Sequence, residues 1–301
     1  MDPIYISVIL ATYNDSAFIK ESIESILKQT YPYFELIIVN DGSTDNTLEI
    51  VNEFIDDRII IIDKPNTGLP DSLNVGLAKS RYEWVARMDG DDVAMPTRFE
   101  RQVKMIKDAL SVIGGNCILI DKYNKTIGHT DFSTDHRAIC FKMFCGKSQF
   151  AHPSTLIRKS SLLEIGGYDT NFRAAQDIDL WYRLSSIGRL VNTSDYILKL
   201  RKSNTNISSN RKEEQTRNSI ISFAKYSLGI LKPITPGSFD KLTKILINHY
   251  NLDYYVTNLI GISTLPPLAK KMFIMRYYLW RIRLFLSLFF FKKRIRRDIG
   301  S

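Results

Sequence analysis

The sequence predicts an α/β fold, a mainly parallel sheet flanked by helices, with a helical C-terminal extension. Short apolar runs alternate with helical patterns through the first hundred or so residues. Polar and acidic clusters stand just after those runs. Beyond a polar stretch at residues 203–217, the sequence reads as helical to its end.

The first strand is expected at Ile6–Ala11, followed by strands at Leu36–Val39, Arg58–Ile62 and Trp84–Met88. Between them, Phe18, Ile19, Ile23, Ile26 and Leu27 recur at helical spacing, as do Leu48, Val51 and Phe54 or Ile55. Asp15 or Ser16 is expected to cap the first helix, and Ser43 or Thr44 the second. Strand–helix–strand repeats of this length build a parallel sheet with right-handed crossovers. In such sheets ligands bind beyond the carboxyl ends of the strands. That directs attention to Thr12-Tyr13-Asn14, Asn40-Asp41-Gly42-Ser43 and Asp89-Gly90-Asp91-Asp92.

After about residue 112 the pattern changes. Cys117–Ile120 and Lys125–Ile127 predict a hairpin turning at Asn124, then a helix near Asp135–Phe144. A strand at Ser154–Ile157 and a short helix at Ser161–Glu164 follow, with Gly166-Gly167 as the stop. Asp177–Ser185 is a helix with Leu180, Trp181 and Leu184 on its core face, and 203–217 reads as a loop or linker. A catalytic domain over 1–205 (halves 1–111 and 112–205) and a helical region over 206–301 are therefore expected.

The chain's 301 residues carry a net charge of +9. From residue 270 onward there are ten Lys/Arg and one acid, Asp298; before it, 31 basic residues balance 31 acidic ones. A basic tail on a neutral body predicts local contact with an anionic surface and no nucleic-acid partner. Three cysteines without a C-x-x-C pair fit a reducing cytosol better than a disulfide or zinc framework. Met1 runs almost directly into the first strand, so no leader is expected.

Three carboxylates within Asp89–Asp92 repel one another unless a cation sits among them. Magnesium or manganese takes one or two protein carboxylates and completes its shell with water and phosphate oxygens. Neither a G-x-x-x-x-G-K-[ST] loop nor a G-x-G-x-x-G turn is present, so a metal would replace the glycine-rich phosphate cradle. Singly, each aspartate after a strand could equally be a turn former or helix cap.

Five segments, in order, are Val8-Ile-Leu-Ala-Thr-Tyr-Asn14, Ile37-Ile-Val-Asn-Asp-Gly-Ser-Thr-Asp45, Met88-Asp-Gly-Asp-Asp92, Gly166-Gly-Tyr-Asp169 and Ala175-Gln-Asp-Ile-Asp-Leu-Trp181. Together they resemble the family 2 glycosyltransferases of the GT-A fold, a Rossmann-like architecture, over residues 4–205. The resemblance implies an inverting enzyme that transfers a sugar from a UDP- or dTDP-sugar. It implies that Thr12, Tyr13 and Asn14 belong to the nucleotide pocket, with the Tyr13 ring on the base. Asp41 would accept from the pyrimidine N3. Asp89 and Gly90 would lie by the nucleotide-sugar, Asp91 would hold Mn2+ or Mg2+, and Asp177 would be the catalytic base. The family's usual Glu-Asp pair is here Gln176-Asp177. That keeps the base and removes a neighbouring charge. Asn66, Gly68 and Asn74 stand where the family lines the donor pocket, or form a plain turn and cap. His152 would approach the metal or diphosphate, or be a satisfied structural residue. Arg201 and Lys202, after the last strand, would clamp the diphosphate or be solvated.

A sugar-1-phosphate nucleotidyltransferase would resemble G-x-G-T-R after its first strand, where this chain has Thr12-Tyr13-Asn14-Asp15. A non-catalytic binder would tolerate loss of Asp91 or Asp177, and both are present. In the tail, the apolar run from Leu284 to Phe291 is too short for a span of about 20 residues. An interfacial basic amphipathic helix over 270–301, its arginines reaching headgroups, is expected, or a helix packed on the protein. The former implies a cytoplasmic enzyme held peripherally on the inner face of the cell membrane and a lipid-linked saccharide acceptor.

Overall fold

The computed structural model describes residues 3–202, 212–250, 252, 277, 279–286, 288 and 292–299. Strands β1 (Ile6–Thr12), β2 (Phe34–Asp41), β3 (Ile59–Lys64) and β4 (Trp84–Asp89) pair in parallel in the order β3-β2-β1-β4. Helices α1 (Ile19–Leu27), α2 (Thr47–Asn52) and α3 (Leu69–Lys79) make the crossovers. Every residue of β1 and β2 is buried, which is why both read as apolar runs without alternation.

Beyond β4 the sheet is mixed. It continues through β8 (Leu156–Arg158), β6 (Leu110–Ile120), β9 (Arg189–Arg201) and β5 (Val93–Ala94), with β7 (Thr126–His129) on β6. β8 runs antiparallel to β4 and β6, whereas β6 and β9 are parallel. The expected hairpin is β6–β7, with Asn124 at φ 65° in its turn. The remaining helices are α4 (Arg98–Lys104), α5 (His136–Phe144), α6 (Lys159–Glu164), α7 (Gln176–Ser185), α8 (Lys212–Leu228), α9 (Pro236–Tyr250) and α10 (Lys292–Ile299). Asp135 caps α5 by accepting from the Arg137 and Ala138 N–H groups.

Several expectations need correction. The α1 N-cap is Phe18, because the Asp15 carboxylate turns to Thr12 and Tyr13. The α2 N-cap is Asn46, because the Ser43 and Thr44 hydroxyls bond across to Asn14. Residues 152–154 form a 3-10 turn, so the strand expected at Ser154–Ile157 begins only at Leu156. The run 203–217 is not all loop. From Lys212 it is helix, with Glu213 and Glu214 suiting a helix N-terminus and Arg217 pairing with Glu213 one turn back. Residues 203–211 lie outside the described residues.

One sheet face packs Val8, Leu10, Ile19, Ile23 and Phe99. On the other, Ile9, Leu73, Trp181 and Leu184 join Phe223, Leu246 and Leu284 in one core. The C-terminal helices thus share a core with the catalytic sheet, across the boundary expected near residue 205. The tail is amphipathic in an unexpected way. Tyr277, Trp280, Arg281, Leu284 and Leu288 face inward, and Leu279, Ile282, Arg283 and Leu286 face outward. Arg281, expected to reach headgroups, is 2% exposed and donates to the Tyr277 and Tyr182 hydroxyls (both 2.9 Å). No helix among the described residues is long and apolar enough to cross a membrane.

Candidate active site

The parallel strands end together at one edge of the sheet. Register sets Thr12 beside Asn40, Asp41 beside Lys64, and Ala11 beside Asp89. Topology alone therefore gathers Thr12–Asp15, Asp41 and Asp89 along one crevice.

The loops above that edge are bonded to one another. Asn14, at φ 56°, donates its N–H to Ser43 Oγ (3.0 Å) and accepts from the Thr44 N–H at Oδ1 (2.8 Å). Asp41 accepts from Lys64 Nζ (2.5 Å) and the Thr67 N–H (3.0 Å) on one oxygen. Its other oxygen accepts from the Gly68 N–H (2.9 Å). Burial alone would raise the Asp41 carboxyl, but these donors hold it below the ordinary range. Gly42, at φ 68°, packs so closely that a Cβ would lie 2.7 Å from the Asn66 nitrogen. Tyr13 is 48% exposed beside these loops. Asn66 is exposed as well, and Gly68 has open space where a Cβ would be.

β4 then delivers the acidic turn. Carboxylate oxygens of Asp89, Asp91 and Asp92 lie within 4.8 Å of one another. Asp15 joins them, accepting from Thr12 Oγ1 (2.7 Å) and the Tyr13 N–H (3.3 Å). Gly90 is what lets the turn fit, because a Cβ there would overlap the Asp15 carboxylate and come within 2.9 Å of Thr12 Oγ1. Burial, then mutual repulsion, pushes these acids up. Asp15 reaches about 6, against the lowering bond from Thr12 and with Asp89 adding. Asp91 reaches about 7 through burial, Asp89 and Asp15. Asp92 rises well above the carboxylate range.

Two arginines stabilise the turn. Arg87, buried on β4, forms an ion pair with Asp89. Arg201 was expected beyond the last strand as a clamp; it is instead the buried last residue of β9. Its N–H donates to Asp92 Oδ1 (2.7 Å) and its Nε to the Asp91 carbonyl (2.7 Å), so it supports the turn from beneath. Lys202 is exposed. Among the described residues, Asp92 Oδ2 is buried with no hydrogen-bond partner. An all-carboxylate set with an unpartnered buried oxygen fits a hard divalent cation such as magnesium or manganese.

Asp177 enters from the far half of the chain. Ala175, left-handed at φ 59°, turns the backbone into α7, whose second residue is Asp177. Burial raises the Asp177 carboxyl, opposed by the Ile178 N–H and by Arg87. Asp89 also acts on it, so Asp177 and the acidic turn share one electrostatic field, and Arg87 acts on both.

His152 lies behind this field. Its Nε2 is 3.0 Å from the Tyr168 hydroxyl, its ring abuts Trp181, and Nδ1 has no hydrogen-bond partner among the described residues. Burial and then Arg87 keep the imidazole neutral, and it is not one of the groups gathered at Asp89–Asp92. Asn74 has turned inward. Its Nδ2 donates to the Tyr168 carbonyl (2.9 Å) and its Oδ1 accepts from the Tyr168 N–H (2.8 Å). The amide ties α3 to the loop before α7. Sequence reasoning missed Arg87 and assigned Asp15 only to a cap. A charged residue inside a strand buried on both faces was the available signal for Arg87.

The chain matches the model of "Glycosyl transferase family 2" over residues 7–166. It is 32% identical to an otherwise uncharacterized glycosyltransferase of Haemophilus influenzae, covering 85% of this chain and 89% of that one. It is 35% identical to the O-antigen biosynthesis glycosyltransferase WbnJ of Escherichia coli, over 60% of this chain and 71% of that one. Among solved structures, Staphylococcus aureus TarS residues 1–349 in complex with UDP superposes with a TM-score of 0.59 at 17% identity, covering 99% of this chain and 92% of that one. The mannosyltransferase PcManGT of Pyrobaculum calidifontis, in complex with GDP-Man and Mn2+, gives 0.57 at 16%, covering 100% and 87%. These two share the fold. With the crevice at the strand ends and the acidic turn after β4, the matches establish that this chain is a glycosyltransferase of family 2 with the GT-A fold.

Proposed function

We infer that the chain transfers a sugar, with inversion, from a UDP-sugar or dTDP-sugar to a hydroxyl of a lipid-linked saccharide during cell-surface polysaccharide synthesis. The observation that carries this reading is the cluster of Asp89, Asp91 and Asp92 oxygens with Asp177 in the same field. Asp91, with Asp89 or Asp92 beside it, would hold magnesium or manganese, which when bound neutralises the charge that develops on the departing diphosphate. Asp177 takes the proton of the attacking hydroxyl; its raised pKa makes it a stronger base than an ordinary carboxylate. One base and one leaving-group site suffice for a single displacement.

Tyr13 offers a free ring face to the nucleobase, and Thr12 and Asn14 shape the same wall. Asp41 Oδ2 accepts from the Gly68 N–H, and a carboxylate oxygen has a further lone pair to offer a pyrimidine N3–H. Asn66 and Gly68 form the facing lip, and Gly90 lets the donor approach the acidic turn. His152, kept neutral by burial and by Arg87, would face the diphosphate side of the acidic turn with its Nε2 held by the Tyr168 hydroxyl. TarS was solved with UDP and UDP-GlcNAc, which supports a uridine donor. WbnJ and the amylovoran biosynthesis glycosyltransferase AmsE of Erwinia amylovora support a polysaccharide product. The outward Leu279, Ile282, Arg283 and Leu286 support a peripheral site on the inner face of the cell membrane, where a lipid-linked acceptor would be met.

The test is nucleotide release from a panel of UDP- and dTDP-sugars, with manganese or EDTA, comparing wild type with Asp91→Ala. Metal-dependent release from one donor, lost in the variant, is the expected result. Release that ignores both EDTA and the substitution would overturn the metal reading.

A further inference from the structure

The helix that carries Asp177 is gripped from outside the family match, which ends at residue 166. Asn218 on α8 is buried and donates from Nδ2 to the Ala174 carbonyl (2.9 Å). Ala174 immediately precedes Ala175, the left-handed residue that aims the chain into α7. Seven residues on, and so on the same helical face, Lys225 reaches Asp169 Oδ2 (2.6 Å) and Asp179 Oδ1 (3.0 Å). Arg183 takes the other Asp179 oxygen (2.7 Å) and the Gly167 carbonyl (2.7 Å). Asp169, Asp179, Arg183 and Lys225 are each about 1% exposed.

Two acids and two bases buried together are neutral, so no counter-charge from solvent is called for. Such a network adds little net stability over apolar packing, because desolvation offsets the attraction. What it does supply is geometry, since each donor and acceptor has one satisfactory position. The network also sits where geometry matters to the reaction: Asp177 lies between Ala174 and Asp179, the two points that α8 holds.

We propose that Asn218, with Lys225, is a positioning residue for the transfer reaction: α8 sets the angle at which α7 presents Asp177 to the acceptor hydroxyl. This rests on the reading of Asp177 as the base. A misplacement of about 1 Å at a reacting group lowers turnover by on the order of a hundredfold. Donor binding, which depends on the β1, β2 and β4 loops, should not notice.

Lys225→Met would leave two buried carboxylates sharing one arginine, and that chain is expected to fold poorly. Asn218→Ala removes one hydrogen bond and is the informative variant. It is compared with Asp177→Asn and the double variant, using the UDP- or dTDP-sugar that wild type hydrolyses fastest with manganese. Asn218→Ala is expected to lower kcat by about 10- to 100-fold, with donor KM and UDP affinity within about twofold of wild type. In the Asp177→Asn background the same substitution is expected to change little, because its effect passes through the missing base. Unchanged kcat in Asn218→Ala beside a crippled Asp177→Asn overturns the positioning role and leaves the base standing. An undiminished effect in the double variant, or kcat and UDP affinity falling together, overturns it as well. Normal turnover by Asp177→Asn overturns the base and this inference with it.

Discussion

Asp91 is carried to about 7 by burial and by the Asp89 and Asp15 carboxylates. Between its ordinary value of 3.8 and about 7, the metal-free folded chain keeps a proton that the unfolded chain has lost. Stability therefore falls as pH rises across that interval. Asp91→Asn, which removes the charge and keeps the shape, should raise the metal-free Tm at pH 8 by on the order of 2–4 °C and change it little at pH 5. The variant should also lose the manganese-dependent Tm increase that wild type shows at pH 8. Equal Tm shifts at the two pH values would mean that Asp91 is ionised throughout. Tyr13 tests the other end of the crevice. If its exposed ring carries the base, Tyr13→Ala should cost about 1–3 kcal/mol of nucleotide affinity by calorimetry, and unchanged affinity would remove the ring from the pocket.

Two adjacent glycines join the halves of the site. Gly166 and Gly167 stop α6 at φ 78° and 71°, and a Cβ on Gly167 would lie 2.6 Å from Asn74 Oδ1. Gly167→Ala should therefore destabilise by about 1–3 kcal/mol in urea unfolding, with Tyr168 released from Asn74. A neutral result would mean that α3 and this loop adjust independently. The glycine stop, the four parallel strands and the β6–β7 hairpin were legible in sequence because each is written locally, as apolar runs, turn residues and period. The extent of the last strand, β9, was not, since its mixed residues Arg189–Arg201 alternate unevenly and carry bulges against β6. The two expected caps failed because the Ser43 hydroxyl bonds to Asn14 in another loop, while the Asp15 carboxylate folds back onto Thr12 and Tyr13. At the site, the positions at strand ends could be read from topology, whereas Arg87 and the inward turn of Asn74 depend on packing between segments far apart in sequence.

On the scale of the molecule, the body is neutral and the charge sits in the last tenth of the chain. Part of that tail is structural: Ile295 and Ile299 are buried, and Ser238 Oγ donates to the Ile299 carbonyl (2.6 Å). Its outward face still shows Leu279, Ile282 and Leu286 around Arg283. The enzyme should cosediment with phosphatidylglycerol-containing vesicles at low salt and be released by 1 M salt, where the Debye length is about 3 Å. Equal binding to neutral phosphatidylcholine vesicles would exclude the charge. Ile282→Glu with Leu286→Glu should weaken attachment while leaving the buried Arg281 contacts intact. Those contacts bear on how such enzymes diversify. A recombination event that exchanged everything after β9 for a relative's C-terminal region would import foreign partners for Ala174, Asp179 and Tyr182. Acceptor preference in this lineage should then be inherited together with its own α7, as a block that evolution shuffles whole.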